Sequence, residues 1–214
     1  KGISMRIIFA VGLTLILGIG LALNAYAAGD ATKGKAAYAV CASCYVANGM
    51  GNKALNAPQI AGQEPWYLER QLNNFKGGIR GANPKDTYGM QMRPMALTLA
   101  NDQAVSDMAA FLSSMPVSKS SESSVKGDVA AGKTAYMICQ TCHGPKGGGN
   151  RALNSPNLTG LQDWYIVRQL KNFKAGIRGT KNGDLFGMQM RPMAMTLAND
   201  AAINNVTAYI ATLK

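Results

Sequence analysis

The sequence predicts an all-α protein made of two tandem modules. A shift of 98 positions aligns the second half of the chain with the first without a gap, so that Cys41 coincides with Cys139 and Trp66 with Trp164. Each half contains segments that start at an Asp or Asn suited to cap a helix. Two copies are too few for a solenoid, so the repeat indicates a duplicated domain. The length of 214 residues fits two domains of roughly 100 residues each.

The N-terminal segment, residues 1–28, has the plan of a secretory signal. Lys1 and Arg6 precede an uncharged run over residues 7–23, and the stretch at 25–27 offers small residues for cleavage. An uncleaved N-terminal anchor is the alternative, because the run is almost long enough to span a membrane. Either version places both modules outside the cytoplasm.

The first helix of each module is predicted to begin at an aspartate N-cap and to continue into a Cys pair. A glycine inside it costs about 1 kcal/mol, which indicates close contact with another element. The expected partner is the last helix of the module, which carries a large ring. In the first module the N-cap is Asp30, the glycine is Gly34, the last helix starts at Asn101 and the ring is that of Phe111. In the second module the corresponding residues are Asp128, Gly132, Asn199 and Tyr209.

A middle helix is predicted after a polar, Gly-rich loop in each module. Pro65 suits the first turn of this helix in the first module, and Asp163 is predicted as its N-cap in the second. Gly77 and Gly176 are expected near the two C-termini. The tryptophan of each middle helix is predicted to lie in the core.

The polar tract at residues 117–127 is predicted to be a linker, because it cannot bury enough surface to fold alone. It separates a first module at residues 29–116 from a second module at residues 128–214. Residues 29–118 carry eight Lys/Arg and six Asp/Glu, a net charge of +2, whereas residues 127–214 carry ten and four, a net charge of +6. The second module is therefore the more basic.

The stretch Cys139-Gln140-Thr141-Cys142-His143 predicts a covalent haem site. Two thiols on one helical turn can each form a thioether to a porphyrin vinyl group, and the adjacent imidazole can bind the iron. A structural disulfide, a zinc half-site and a thioredoxin-like redox pair are the alternatives. A zinc site needs about four ligands, and the only other thiols are Cys41 and Cys44.

A second informative stretch, residues 187–195, contains four methionines. A thioether suits haem iron as the sixth ligand opposite His143, whereas core filling and a copper(I) site are the alternatives. Spacing does not choose among Met188, Met190 and Met193. It indicates only that one loop supplies the ligand.

These features together resemble the two-haem class I cytochromes c of the cytochrome c4 type. The resemblance rests on the repeated Cys-x-x-Cys modules, the proline after each site, the Met-x-Pro before a Leu-Ala-Asn-Asp helix start and the leading signal segment. It covers residues 29–214. It implies a class I cytochrome c fold for each module, with covalently bound haem c.

The family's ligands can be carried over by position. Its axial methionine stands two residues before a proline, which implies Met190 in the second module and Met92 in the first. The resemblance also implies that the carbonyl of Pro156 accepts the Nδ1–H of His143 and so holds the tautomer and orientation of the imidazole.

The first module departs from the family pattern at Tyr45, where the family has the iron-binding histidine. His143 is the only histidine in the chain, so a second His-ligated haem is excluded. Three explanations remain: a haem held by Cys41 and Cys44 with Tyr45 or water on the iron, a module without haem whose thiols form a disulfide, or a sequence error one base away from histidine. Removing haem from an otherwise retained core would leave a costly void, which favours haem in both modules.

The resemblance implies a periplasmic electron carrier that serves larger redox proteins. The basic charge favours an acidic redox protein or a membrane respiratory complex as partner, and the N-terminal segment offers membrane association. No basic helix interleaved with aromatic residues points to nucleic acid. The alternative function is a redox enzyme that acts on peroxide or a sulfur compound at an open or Tyr-ligated first haem, although no catalytic constellation stands out.

Overall fold

The computed structural model describes residues 28–117 and 124–213, which form two helical modules. The predicted signal or anchor at 1–28 lies outside these residues except for its last position, as does the middle of the predicted linker. The helices are Ala31–Ala37 (α1), Ala39–Tyr45 (α2), Pro65–Lys76 (α3), Thr87–Leu97 (α4) and Asp102–Ser114 (α5) in the first module, and Val129–His143 (α6), Asp163–Lys174 (α7), Leu185–Met195 (α8) and Asp200–Thr212 (α9) in the second.

The first and last helices of each module cross at a glycine, as the sequence predicts. A Cβ atom at Gly34 would lie 2.1 Å from the carbonyl oxygen of Asp107 on α5, and one at Gly132 would lie 2.0 Å from that of Asn205 on α9. The predicted aromatic residue of each last helix is next to the glycine, since its own Cβ lies 2.7 Å from that position in the first module and 2.9 Å in the second. Only glycine allows the two backbones to come this close.

The first helix differs between the modules. Asp30 and Asp128 cap α1 and α6 through their carboxylates, as predicted. α6 then runs unbroken to His143, but the corresponding helix of the first module is divided at Tyr38 into α1 and α2. The amide of Tyr38 bonds to the carbonyl of Lys35, three residues back. The prediction of one continuous helix into the first Cys pair is therefore wrong, because a 3₁₀ step replaces the regular helical bond at this point.

The start of the middle helix agrees with the prediction in the first module and differs from it in the second. Pro65 is the first residue of α3, but the N-cap of α7 is Gln162 and not Asp163. The buried carboxylate of Asp163 accepts the amide of Val125, near the end of the predicted linker, at 2.7 Å. Asp163 therefore serves to attach the linker to the second module rather than to cap the helix.

The prediction that the tryptophans lie in the cores is wrong. Trp66 and Trp164 are half-buried, and each ring lies beside the guanidinium of the arginine one helical turn later. The guanidinium carbon is 5.0 Å from the ring centroid for Arg70 and 4.9 Å for Arg168, which are cation–π separations. The residues of the middle helices that enter the cores are Leu68, Leu72 and Phe75 in the first module and Ile166, Leu170 and Phe173 in the second.

The two modules contact each other through a nearly symmetrical set of hydrogen bonds. Arg70 of the first module donates to the backbone and side-chain oxygens of Asn154 in the second, at 2.8 and 3.2 Å. Arg168 makes the same pair of bonds to Asn56 of the first module, at 2.8 and 3.0 Å. The two arginines are related by the repeat, and so are the two asparagines. The duplicated sequence therefore folds into a pseudo-twofold pair.

Candidate haem-binding sites

A deep pocket in the second module brings the predicted site residues together. Its volume is about 1310 Å³, including the part open to solvent. This is large enough for a cofactor, since ligand pockets usually hold roughly 300–1,000 Å³. The wall includes Cys139, Cys142, His143, Pro156 and Met190.

His143 is oriented by the loop that follows it. Its Nδ1 lies 2.8 Å from the carbonyl oxygen of Pro156. Because a carbonyl only accepts hydrogen bonds, Nδ1 carries the hydrogen and the lone pair of Nε2 is left for a metal. Burial lowers the pKa of His143, so the imidazole is neutral, as a metal ligand must be.

The methionine stretch lies on a helix and not, as predicted, on a loop. α8 begins after Asp184, whose buried carboxylate accepts the amides of Gly179 and Gly187 at 3.2 and 3.1 Å. These bonds cap the helix and hold its first turn against the preceding loop. Pro192 lies inside α8 although it has no N–H to donate to the carbonyl one turn earlier. Contacts with the rest of the module must therefore compensate for the missing hydrogen bond.

The structure narrows the choice among the three candidate methionines. Met190 and Met193 line the pocket, whereas Met188 is 51% exposed. Met190 also packs against the buried core of its module. The first module repeats this arrangement on α4, where Met92 lines the pocket and Met90 is 41% exposed.

The first module has a corresponding pocket of about 990 Å³, including its open part. Cys41, Tyr45, Pro58 and Met92 line it, and Cys44 is half-buried beside the core. All four cysteines of the chain are free thiols. Tyr45 is buried, and its hydroxyl donates to the sulfur of Met92 at 3.1 Å. Burial raises the pKa of Tyr45, which favours the neutral phenol over the phenolate considered as an iron ligand.

The residue after Tyr45 also differs between the modules. Val46 has φ 55° and ψ 171°, whereas its counterpart Gly144 has φ 79° and ψ 158°. Glycine adopts this conformation freely, but a β-branched residue there is strained. The turn is nevertheless the same, because the carbonyl of Val46 accepts the hydroxyl of Tyr38 at 2.8 Å and that of Gly144 accepts Tyr136 at 2.9 Å.

Two buried arginines that the sequence analysis did not single out line the pockets. Arg80 lies in the first pocket and Arg178 in the second, each 7% exposed. Each donates to both Gln71 and Gln169, one from each module. In the described part of the chain, the Nε of each arginine has no hydrogen-bond partner. The sequence offered one indication of their importance, because Arg80 and Arg178 coincide when the two halves are aligned by the 98-residue shift.

These residues fit a covalently bound haem in the second module. Two free thiols, an oriented neutral imidazole, a thioether and a buried cation surround one pocket. A guanidinium with an unused donor suits a carboxylate, and haem carries two propionates. The first module offers the thiols, a proline and Arg80 in the same way. Its Tyr45–Met92 contact, however, is too short for two ligands of one iron, because bonds of roughly 2.0–2.3 Å on opposite sides separate the donors by roughly 4 Å.

A small helical domain that presents two thiols, an oriented imidazole and a thioether to one pocket is typical of a c-type cytochrome. The second module has this arrangement, and the first module repeats it with Tyr45 in place of the imidazole. The family model described as Cytochrome c matches residues 31–116 and again residues 129–214. Because the two matches cover more than half of the chain, the chain belongs to the cytochrome c family.

Curated relatives and a solved structure match the chain over most of its length. The chain is 34% identical over 210 residues to cytochrome c4 of Azotobacter vinelandii, covering 92% of this chain and 96% of that protein. It is 32% identical over 181 residues to a thiosulfate dehydrogenase electron acceptor of Stutzerimonas stutzeri (strain A1501), covering 80% of this chain and 77% of that protein. The crystal structure of reduced recombinant cytochrome c4 from Pseudomonas stutzeri matches with a TM-score of 0.66 and 32% identity, covering 86% of this chain and 98% of that one.

Four predictions are thereby confirmed: the all-α fold of two tandem cytochrome c modules, the likeness to two-haem cytochromes of the c4 type, haem c as the cofactor, and electron transfer as the function. Redox proteins are accordingly the general class of partner.

Proposed function

We propose that the protein carries single electrons between larger redox proteins in the periplasm and is not itself an enzyme. The observation that carries this proposal is the hydrogen bond from His143 to the carbonyl of Pro156, inside a pocket that two thiols and a methionine also line. Haem c, when bound, supplies an iron that changes between the ferrous and ferric states. The chain already holds its imidazole in a buried, oriented position, so little rearrangement is needed when the charge changes.

Each site residue of the second module has a proposed role. Cys139 and Cys142 would form the thioether bonds to haem, and His143 and Met190 would bind its iron. Met190 is preferred to Met193 because it packs against the core and because its position matches the family's axial methionine. Arg178 offers its unused Nε to a propionate. Cys41, Cys44, Met92 and Arg80 have the corresponding roles in the first module.

We infer that the second module is the docking surface. Its net charge is +6, and the exposed Lys146 follows His143 by three residues. Ile138 and Leu153 line the pocket and are also 42% and 46% exposed, which gives the pocket an apolar rim. An apolar centre with basic surroundings suits an acidic redox protein, whether soluble or part of a membrane respiratory complex. The relative named as an electron acceptor for thiosulfate dehydrogenase supports such a role.

The proposed compartment is the periplasm, with residues 1–28 cleaved or retained as a tether to the inner membrane. Over residues 28–117 and 124–213, every helix is too short or too polar to cross a bilayer. The signal-like N-terminal sequence and the covalent attachment of haem outside the cytoplasm support the proposal.

A redox titration of Met190→Ala tests this function. The unsubstituted chain should be reduced and reoxidised reversibly, with one electron for each haem. Met190→Ala should abolish the absorption that arises from thioether coordination and lower the potential of that haem by on the order of 0.1 V, because axial ligands set potentials over a range of roughly 0.8 V.

Met188→Ala is the matched control, since Met188 is on the same helix but exposed. It should leave both the absorption and the potential unchanged. Loss of the absorption in Met193→Ala but not in Met190→Ala would disprove the ligand assignment. Sustained turnover of peroxide or a sulfur compound by the unsubstituted chain would disprove the carrier function in favour of an enzyme.

A further inference from the structure

The loop that orients His143 is attached to its own module just before Pro156. The carbonyl of Pro156 accepts the Nδ1–H of His143 at 2.8 Å. The preceding residue, Ser155, exchanges two backbone hydrogen bonds with Asn150, at 2.7 and 3.0 Å. These bonds fix the chain on one side of the carbonyl that holds the imidazole.

On the other side of Pro156, the same loop is attached to the first module. The amide of Asn157 donates to the carboxylate of Glu64 at 3.2 Å. The carbonyl of Asn157 accepts the side-chain amide of the buried Gln63 at 3.1 Å. Both backbone hydrogen-bonding groups of the residue after Pro156 are therefore bonded to the other module.

Arg70 of the first module holds the loop at a further point, Asn154. Its guanidinium donates to the backbone and side-chain oxygens of Asn154 at 2.8 and 3.2 Å. The guanidinium carbon lies 5.0 Å from the ring centroid of Trp66 and 4.4 Å from that of Phe186 in the second module. Contact with rings from both modules orients the fork of donors toward the loop.

The corresponding loop of the first module is held in a matching way. The 98-residue shift aligns Glu64 with Gln162 and Asn157 with Gln59, and the amide of Gln59 donates to the side-chain oxygen of Gln162 at 2.7 Å. In that module Tyr45 replaces the histidine, so the loop has no imidazole to orient. Only the contacts made by the first module on the second can therefore affect an iron-binding histidine.

We propose that the first module positions the iron-binding histidine of the second module. Gln63, Glu64 and Arg70 are positioning residues, because they hold the loop at residues 154–157 and the loop holds the imidazole. The proposal rests on haem c being bound in the second module, as the proposed function states. Groups one step beyond a metal ligand fix the orientation of its ring and raise its basicity. The first module thus contributes to the second site independently of its own pocket.

Hydrogen exchange at Nδ1 of His143 tests the proposal. His143 is the only histidine, so isotopic labelling of histidine in the holoprotein gives a single Nδ1–H signal in nuclear magnetic resonance spectra. Glu64→Leu should speed the exchange of this proton by roughly tenfold or more, because the loop loses a hydrogen bond to a charged group. The potential of the haem bound to His143 should also rise, because a weaker bond to Pro156 makes the imidazole a poorer electron donor.

The repeat supplies the matched control. Gln162→Leu removes the corresponding bond from the loop of the first module, and it should leave the exchange of His143 and the potential unchanged. Glu64→Gln should behave as the unsubstituted chain does, since Gln162 shows that a glutamine can accept this amide. Arg70→Met is a second variant that should speed the exchange. Glu64→Leu is the sharper test, because Arg70 also lines the haem pocket whereas Glu64 lies outside its wall.

The outcomes that would overturn the proposal are distinct. Unchanged exchange in both Glu64→Leu and Arg70→Met would show that the first module does not position His143. Equal acceleration in Glu64→Leu and Gln162→Leu would show a general loosening of the contact between the modules instead. Exchange in Glu64→Gln as fast as in Glu64→Leu would overturn the role of the accepting oxygen. Failure of the carrier function would appear separately, as irreversible reduction or sustained turnover of a substrate by the unsubstituted chain.

Discussion

Tyr45 and Val46 stand where the second module has His143 and Gly144, and these two neighbouring differences have separate physical effects. The first removes an imidazole from a pocket that otherwise keeps its thiols and its methionine. The second places a β-branched residue at φ 55°, a conformation that usually costs on the order of 1–3 kcal/mol. One substitution therefore changes ligand chemistry, and the other changes stability.

Val46→Gly should raise the stability of the holoprotein by about 1 kcal/mol. Glycine relieves the strain at positive φ, and part of that gain is offset by its larger loss of backbone entropy on folding. Denaturant unfolding of the holoprotein measures the change. Val40→Gly is the control, because the exposed Val40 lies within α2, where glycine should destabilise by roughly 0.5–1 kcal/mol. Destabilisation by both substitutions would show that Val46 is not strained.

At the scale of elements, each module depends on one helix crossing. α1 meets α5, and α6 meets α9, at a distance that only a glycine permits. The crossing sets the direction of the helix that carries the Cys pair, so it also sets the position of the thiols relative to the rest of the pocket.

Gly132→Ala should destabilise the second module by roughly 1–3 kcal/mol, although alanine is the better helix former. Its Cβ would lie 2.0 Å from a backbone oxygen of α9, and backbone cannot rotate away as a side chain can. Thermal unfolding followed at the haem absorption measures the effect. Gly148→Ala is the control, because a Cβ there meets nothing within 4 Å. Gly132→Ala as stable as the unsubstituted chain would mean that α6 and α9 can separate without cost.

At the scale of the whole molecule, charge is distributed unevenly between two modules of the same fold. The excess of basic residues lies in the second module, which also has the site that fits a His/Met-ligated haem. Electrostatic steering would therefore direct an acidic partner to that module.

The bimolecular rate of electron transfer with an acidic redox protein should fall by roughly tenfold or more between 0.01 and 0.15 M salt. The Debye length shortens over this range from roughly 30 Å to roughly 8 Å, which screens the basic surface. Stopped-flow measurement of the second-order rate tests this. Lys146→Gln should lower the rate at low salt, whereas Lys35→Gln on the first module should not. A rate independent of salt would remove electrostatic steering from the proposed function.

The sequence predicted the features that depend on local residues. The 98-residue repeat, the Asp and Asn caps of the first and last helices of each module and the glycines at the crossings are all found in the structure. The missed features depend on contacts between distant residues. The tryptophans lie beside arginines that reach the other module, and Asp163 bonds the linker instead of capping a helix. Arg80 and Arg178 were not predicted as site residues, because the repeat shows that both are retained but their burial in the pockets depends on the fold.

The symmetry of the contacts between the modules has an evolutionary consequence. Arg70 reaches Asn154 as Arg168 reaches Asn56, which is the pattern of contacts in a symmetrical homodimer. In a homodimer of identical subunits, every substitution appears twice, so the loss of a histidine would affect both sites at once. Joining the two copies in one polypeptide removes that restriction. One copy can keep its inherited ligand while the other acquires a tyrosine, and the fused pair can become asymmetric without losing the interface that holds it together.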